Sequence, residues 1–261
     1  MRRVMPGRRL LSMAGLVSLM LLAPVLAVPA VSAVPVPAGG QPSEPQVRQV
    51  LNDVHTDVLD PVFESGTLRV RTRIGTSGSY EYADPGDVVI QLKDTADSRL
   101  QVPDIPEFAF LGEAGSPVWI APEAQITGLV WPGWSTENLP RELFEFGAPR
   151  VELTLTDVTG PGALEVFASG TVGQPIRYFS STDPQIRTFN EFVGTHHHAN
   201  WVFTAPGTYT ATFQIAATDV NGTRHVAEPV TLNWYVGGTT AEDVPPELVS
   251  PSPTTSPTTS P

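Results

Sequence analysis

The sequence lacks cysteine altogether and has few basic residues for its length. Among 261 residues there is no Cys, and 15 Lys and Arg stand against 27 Asp and Glu, for a net charge of −12. The absence of cysteine excludes a disulfide scaffold and any thiolate metal site. The shortage of positive charge argues against nucleic acid as a partner, because phosphate backbones bind to basic patches.

Familiar catalytic motifs are missing as well. The sequence contains no HExxH, GxSxG, P-loop or GxGxxG pattern, and no cysteine nucleophile. We therefore expect a binding or structural protein and no enzyme. Long helices are disfavoured by the 22 Gly and 27 Pro, which interrupt helices.

Residues 1–33 have the order of a secretory signal peptide. Four arginines lie within residues 2–9, a largely apolar run covers 10–28, and Val31-Ser32-Ala33 forms a small-residue cleavage signature. Pro24 interrupts the apolar run, whereas a membrane-spanning helix needs about 20 apolar residues. We expect a secreted, cell-surface protein with no membrane span in the mature chain.

Two segments of biased composition flank the predicted domain. Residues 34–46 form a Pro/Gly spacer, and residues 238–261 end in PSPTTSPTTSP. The second segment has too little apolar surface to fold, so we expect a disordered Pro/Ser/Thr tail. Residues 47–237 remain as one domain.

Strand patterns dominate that domain. Residues 68–74 alternate apolar side chains with arginines, and residues 151–158 and 163–168 flank Gly160-Pro161-Gly162 as a β-hairpin would. Pro206-Gly207 precedes Tyr209, which opens a long alternating strand, as at the tyrosine corner of immunoglobulin domains. The sequence predicts an all-β, immunoglobulin-like antiparallel sandwich with a few short helical turns.

Three of the five histidines are consecutive, at 196–198. Because side chains alternate along a strand, His196 and His198 share one face, about 7 Å apart, and His197 points toward the core. Two imidazoles so placed can converge on Zn, Cu, Ni or Fe. The alternative is a polar strand edge without a ligand.

A second cluster lies near the start of the domain. His55 and Asp57 share a face if their segment is extended. The carboxylate of Asp57 could ligate a metal beside His55, or it could orient the imidazole of His55. The acidic balance of the chain also favours cations over anions.

Two tryptophans flank a Pro-Gly pair in residues 131–136, WPGWST. We expect a loop that folds Trp131 and Trp134 over one end of the sandwich. The alternative is an aromatic platform for a sugar ring.

Five blocks together resemble a known family. They are His55-Thr56-Asp57, PEFAFLG (106–112), PVWI (117–120), WPGWST (131–136) and THHHANW (195–201). In this order they resemble the actinobacterial surface-anchored domain, also called the choice-of-anchor M domain, over about residues 50–237. In the family pattern the first and third histidines of the last block recur, which are His196 and His198 here, and the upstream pair corresponds to His55 and Asp57.

The resemblance implies a secreted or wall-attached protein that handles metal beside an ABC importer and its substrate-binding protein. We therefore expect His55, His196 and His198 to bind one divalent ion, with Asp57 as a fourth ligand or as support. Zn²⁺ is the expected ion and Mn²⁺ the alternative. The competing expectation is a structural or adhesive domain that displays a carbohydrate- or protein-binding face without metal. The two differ in whether His55 lies beside His196 and His198.

Overall fold

A computed structural model describes residues 47–250. The predicted signal peptide (1–33), the spacer (34–46) and residues 251–261 of the predicted tail lie outside the described residues. Within them, no helix has the length and apolar character needed to cross a membrane.

Strands account for most of the regular structure of residues 47–250, with only short helical segments, so the all-β prediction is confirmed. The strands are β1 (Gln49–Leu51), β2 (His55–Glu64), β3 (Thr67–Ile74), β4 (Glu81–Ala83), β5 (Val88–Leu92), β6 (Arg99–Gln101), β7 (Pro117–Ala121), β8 (Trp131–Ser135), β9 (Val151–Thr159), β10 (Leu164–Ser169), β11 (Pro175–Ser180), β12 (Thr188–Glu191), β13 (His196–His198), β14 (Asn200–Phe203), β15 (Gly207–Thr218), β16 (Arg224–Val226) and β17 (Val230–Val236). The helical turns are α1 (Arg141–Phe144), α2 (Pro246–Val249) and 3₁₀ segments at Pro85–Asp87, Pro106–Leu111 and Ala241–Asp243.

These strands form three sheets. The first has the order β1-β5-β17-β15-β9-β12, with β16 added to β15. The second has the order β11-β10-β14-β7-β6, and the third, which we call the site sheet, has the order β13-β8-β2-β3-β4. Most pairs are antiparallel, but β1 with β5, β5 with β17, and β2 with β8 are parallel. The parallel pairs are an addition to the antiparallel sandwich that the sequence predicts.

One hydrophobic core joins the three sheets. β15 illustrates its origin, because Tyr209, Ala211, Phe213 and Ile215 alternate with half-buried residues and are themselves fully buried. The same core receives Trp134 from the site sheet, Val166, Phe179 and Trp201 from the second sheet, and Trp234 from β17 of the first sheet. The site sheet is therefore backed by a large apolar core.

The predicted hairpin around Gly160 is wrong. β9 pairs with β15 and β12 in the first sheet, whereas β10 pairs with β11 and β14 in the second. The Gly-Pro-Gly segment thus carries the chain from one sheet to the other. A Cβ at Gly160 would lie 2.0 Å from the ring of Tyr209, so glycine lets this connection pass directly over the core.

The predicted start of the disordered tail at residue 238 is also wrong. Residues 241–249 form a 3₁₀ turn and α2, and Val244 and Leu248 pack against Val89 of β5. A capping box between Thr240 and Asp243 begins the turn. Val244 and Leu248 are enough to pack this segment against the first sheet. The domain therefore extends to residue 250.

The tyrosine corner forms as the sequence predicts. Tyr209 is buried, and its hydroxyl donates a hydrogen bond to the Ala205 carbonyl at 2.7 Å. This bond ties the start of β15 to the turn that precedes it.

Loss of that bond should be measurable. We predict that Tyr209→Phe lowers the free energy of unfolding by about 1 kcal/mol, the usual worth of a hydrogen bond. Tyr235→Phe on the neighbouring β17 is the control, because its hydroxyl has no hydrogen-bond partner among residues 47–250. Urea denaturation followed by tryptophan fluorescence gives both values, and equal losses would contradict the assignment.

Candidate metal centre

Two strands of the site sheet supply the candidate ligands, and a third strand separates them. β2 carries His55 and Asp57, β13 carries His196 and His198, and β8 lies between β2 and β13. Strands two places apart in a sheet are roughly 10 Å apart, so the side chains must reach across β8.

Gly133 makes this approach possible. It is the register partner of Asp57 on one side and of His198 on the other. A Cβ at Gly133 would lie 2.8 Å from Nδ1 of His198 and 2.4 Å from the carbonyl oxygen of His197. Only glycine leaves room for the ligands to meet above β8.

A β-bulge follows Asp57 in β2. The register of β2 shifts there against both neighbouring strands, between Asp57 and Asp60 on one side and between Asp57 and Leu59 on the other. One extra residue in β2 lets Val58 and Leu59 both enter the core, while Asp57 stays on the site face.

The ligand atoms of the four residues converge. Nε2 of His55 lies 3.2 Å from Nε2 of His196 and 3.0 Å from Nε2 of His198. Oδ1 of Asp57 lies 2.8 Å from Nε2 of His196 and 3.9 Å from Nε2 of His55. All four donor atoms lie within 4.8 Å of one another. Donors of a tetrahedral Zn²⁺ site, at 2.0–2.1 Å from the ion, are about 3.3 Å apart, so the spacing fits one metal ion.

Hydrogen bonds fix the proton positions of two imidazoles. Nδ1 of His55 donates to the Gly75 carbonyl at 2.5 Å, and Nδ1 of His198 donates to the Pro132 carbonyl at 3.1 Å. In the neutral imidazole, Nε2 is then an acceptor with a free lone pair. Two such lone pairs face each other at 3.0 Å, and a cation between them turns this repulsion into attraction.

Asp57 is buried, and its two carboxylate oxygens are used differently. Oδ2 accepts a hydrogen bond from Nε of Arg73 at 2.7 Å. Oδ1 faces Nε2 of His196 at 2.8 Å, in a charge contact that does not meet hydrogen-bond geometry, and it has no other donor among residues 47–250. A buried carboxylate oxygen without a well-formed hydrogen bond is costly. Its place at the edge of the imidazole cluster is what a metal ligand requires.

The charges of the cluster shift its protonation. Burial alone would raise the pKa of the Asp57 carboxyl, but contacts with His196 and Arg73 outweigh it and hold that pKa below its usual value. The carboxylate of Asp57 raises the pKa of His196. Burial lowers the pKa of His198 to about 4. His198 is therefore ready to bind a metal at neutral pH, whereas His196 competes with a proton.

On the opposite face of β13, the side chain of His197 is held by a buried carboxylate. Nδ1 of His197 lies 3.1 Å from Oε2 of Glu191, and the same oxygen accepts a hydrogen bond from the indole of Trp134 at 2.8 Å. Glu191 is 2% exposed. This contact holds His197 toward the core, and so turns His196 and His198 toward the ligand side.

Residues 131–136 do not form the predicted loop. Trp131–Ser135 is strand β8, Trp134 is fully buried, and the ring of Trp131 stacks on that of His198 at 3.9 Å. Pro132 and Gly133 are uncommon inside a strand, which is why the sequence suggested a loop. The ring of Trp131 lines the candidate metal centre. Trp131 and Trp134 do not form an exposed platform together.

The ligands differ in their exposure to solvent. The side chain of His196 is 30% exposed, whereas those of His55 and Asp57 are 4% and 0% exposed. A metal ion can therefore reach the centre from the side of His196. Asn200, two residues after His198, belongs to β14 of the second sheet and lies outside the cluster.

The structure thus brings together all four residues that the sequence analysis singled out, and this cluster could hold a metal ion. Sequence reasoning missed Arg73 and Gly133. Arg73 is one of three arginines that alternate along β3, and the sequence gives no reason to single it out. Only the register of β3 against β2 places it beside Asp57. For Gly133, the sequence did offer a signal: if residues 131–135 form a strand, Trp131, Gly133 and Ser135 share one face, and the glycine leaves an open space between two side chains.

Comparison of the chain with models of known families gives no match, and a search of curated proteins finds none with significant similarity. The resemblance to the surface-anchored family therefore stays a prediction.

Gly133 offers a direct test of the cluster. We predict that Gly133→Ala weakens Zn²⁺ binding about tenfold or more, as loss of a supporting residue commonly does, because the methyl group displaces His198. Gly86→Ala is the control, since a Cβ there meets no atom within 4 Å. Isothermal titration calorimetry measures both variants, and equal affinities would show that the ligands do not meet above β8.

Metal binding should depend on pH through His196. Its pKa is raised above the ordinary value of about 6.5, so below that raised pKa the ion must displace a proton from it. His198, with a pKa of about 4, adds no such competition until the pH approaches that value. We predict that Zn²⁺ affinity falls as the pH drops from 8 to 5, with proton release seen by titration in buffers of different ionisation enthalpy. Affinity that stays constant over this range would contradict the prediction.

Proposed function

We propose that this protein is a secreted or cell-surface module that reversibly binds one divalent transition metal ion. Zn²⁺ is the preferred ion and Mn²⁺ the alternative. The module holds or passes the ion for an ABC importer, through the substrate-binding protein of that importer.

The observation that carries the metal-binding proposal is the convergence of His55, Asp57, His196 and His198 within 4.8 Å. Three imidazole nitrogens and one carboxylate oxygen form a ligand set that suits Zn²⁺. Mn²⁺ binds such nitrogen-rich sites more weakly, since it stands at the low end of the divalent series and prefers oxygen ligands.

Binding without catalysis follows from the number of ligands. Catalytic zinc sites use three protein ligands and keep one position for water or substrate. Here four protein donors lie within 4.8 Å of one another, enough to fill every position of a four-coordinate ion. We therefore propose a binding protein and no enzyme.

The exposure of His196 supports the exchange of metal with a partner, because a ligand that solvent reaches can be replaced by a ligand of another protein. The importer itself is suggested by the sequence blocks that resemble the surface-anchored family. The adhesive alternative rests on Trp131 and Trp134 as a platform and on the Pro/Thr-rich tail as a stalk, and the positions of both rings argue against the platform.

A double variant tests the proposed function. We predict that His196→Ala/His198→Ala lowers Zn²⁺ affinity by at least about 100-fold. Loss of a residue that only supports a ligand costs up to about 100-fold, and loss of two ligands should cost more. His225→Ala is the matched control, because this histidine pairs with Asp219 outside the cluster. Calorimetric titration of Zn²⁺ and Mn²⁺ into chains without a histidine tag measures the affinities.

Thermal unfolding gives a second readout for the same variants. At a free Zn²⁺ concentration of 100 times Kd, the metal should stabilise the unaltered chain by about 2.7 kcal/mol, and the double variant far less. Equal Zn²⁺ affinity in the unaltered chain and the double variant would remove this cluster as the site. No binding in either would favour the structural or adhesive function.

A further inference from the structure

A buried arginine lies directly behind the carboxylate ligand. Arg73 of β3 is the cross-strand register partner of Asp57, and its side chain is 4% exposed. Its Nε donates to Oδ2 of Asp57 at 2.7 Å, on the side away from the imidazoles. Asp57 therefore has one oxygen facing the cluster and the other oxygen bound to a guanidinium group.

Arg73 is itself held in place by several contacts. Nη2 donates to Oε2 of Glu137 at 3.0 Å, and the guanidinium carbon lies 4.5 Å from the ring centroid of Tyr80. Oε2 of Glu137 also accepts a hydrogen bond from the hydroxyl of Ser135 at 3.2 Å. Arg73 cannot turn away from Asp57 without giving up these partners as well.

This arrangement limits how Asp57 can bind a metal. A bidentate carboxylate would have to turn Oδ2 toward the ion and so break its hydrogen bond with Arg73. The side chain of Asp57 is 0% exposed, so water cannot replace the lost partner. The protein thus presents one oxygen and three nitrogens.

We infer that Arg73 keeps Asp57 a one-oxygen ligand, and that the centre therefore selects ions that accept four ligands, such as Zn²⁺ and Co²⁺, over ions that prefer six, such as Mn²⁺. The inference rests on the proposed function, because it assumes that a metal binds here. Mn²⁺ and Mg²⁺ favour octahedral oxygen-rich sites, whereas Zn²⁺ is satisfied by a tetrahedron. The extra ligands of a six-coordinate ion would have to be waters, and the His55 and Asp57 side of the centre is buried.

The same strand provides a matched control. Arg71 is the register partner of Asp60, and its Nε donates to Oδ2 of that buried carboxylate at 2.9 Å. Asp60 takes no part in the ligand cluster. Arg71→Met, which has no N–H donor, therefore removes an equivalent pair without touching the ligand cluster.

Cobalt reports the number of ligands. Four-coordinate Co²⁺ absorbs visible light several times more strongly than six-coordinate Co²⁺, because a tetrahedral site lacks a centre of symmetry. We predict an intense visible band for the unaltered chain and for Arg71→Met. Arg73→Met, which leaves Oδ2 of Asp57 without its donor, should weaken the band and lower the ratio of Zn²⁺ affinity to Mn²⁺ affinity about tenfold or more. Arg73→Lys, which keeps a donor for Oδ2, should restore both.

The outcomes separate this inference from the proposed function. If the unaltered chain binds none of Co²⁺, Zn²⁺ and Mn²⁺, the proposed function fails. If it binds them but shows the weak band of a six-coordinate ion, the inference alone is overturned. It is also overturned if Arg73→Met behaves like Arg71→Met, or if Arg73→Lys restores nothing. Should Arg73→Met fail to fold by circular dichroism, the Co²⁺ spectrum of the unaltered chain decides between four and six ligands.

Discussion

The candidate metal centre depends on one position in the site sheet that has no side chain. Strands β2 and β13 are not neighbours, and their ligands meet only because they reach over Gly133 of β8. Trp131 and Ser135 lie two residues before and two residues after this glycine, on the same face of β8. One strand therefore supplies the ring of Trp131, the open space at Gly133 and the hydroxyl of Ser135. Two further contacts complete the arrangement: the Pro132 carbonyl fixes the tautomer of His198, and Arg73 orients the carboxylate of Asp57.

The site sheet combines two demands that usually conflict. Its inner face packs into a core of large apolar side chains, whereas its ligand face carries the buried charges of Asp57 and Arg73. The bulge after Asp57 reconciles the two, because it lets consecutive residues enter the core without moving the carboxylate. The buried ion pair contributes little stability by itself. Its value lies in holding Asp57 in one orientation.

The sequence alone predicts the local features of the candidate site, but not the contacts between strands that are distant in sequence. Alternation along a strand was enough to place His196 and His198 on one face, and a Pro-Gly turn before Tyr209 was enough to predict the corner. The meeting of β2 with β13 could not be read from the sequence, because it depends on which strand lies between them. Gly133 and Pro132 disfavour strands on average, so packing had to override their propensity. The role of Arg73 likewise emerges only from the register of β3 against β2.

The size of the core bears on whether a metal here would be structural or exchangeable. Small zinc domains unfold without their ion, because the metal replaces a core that they lack. This domain buries Trp134, Trp201 and Trp234 in a core shared by three sheets, away from the ligands. This core does not depend on the ion, although the facing lone pairs of His55 and His198 repel each other without it. Under the proposed function, metal would enter and leave on the side of His196 while the sheets stay folded, as a protein that carries an ion as cargo requires.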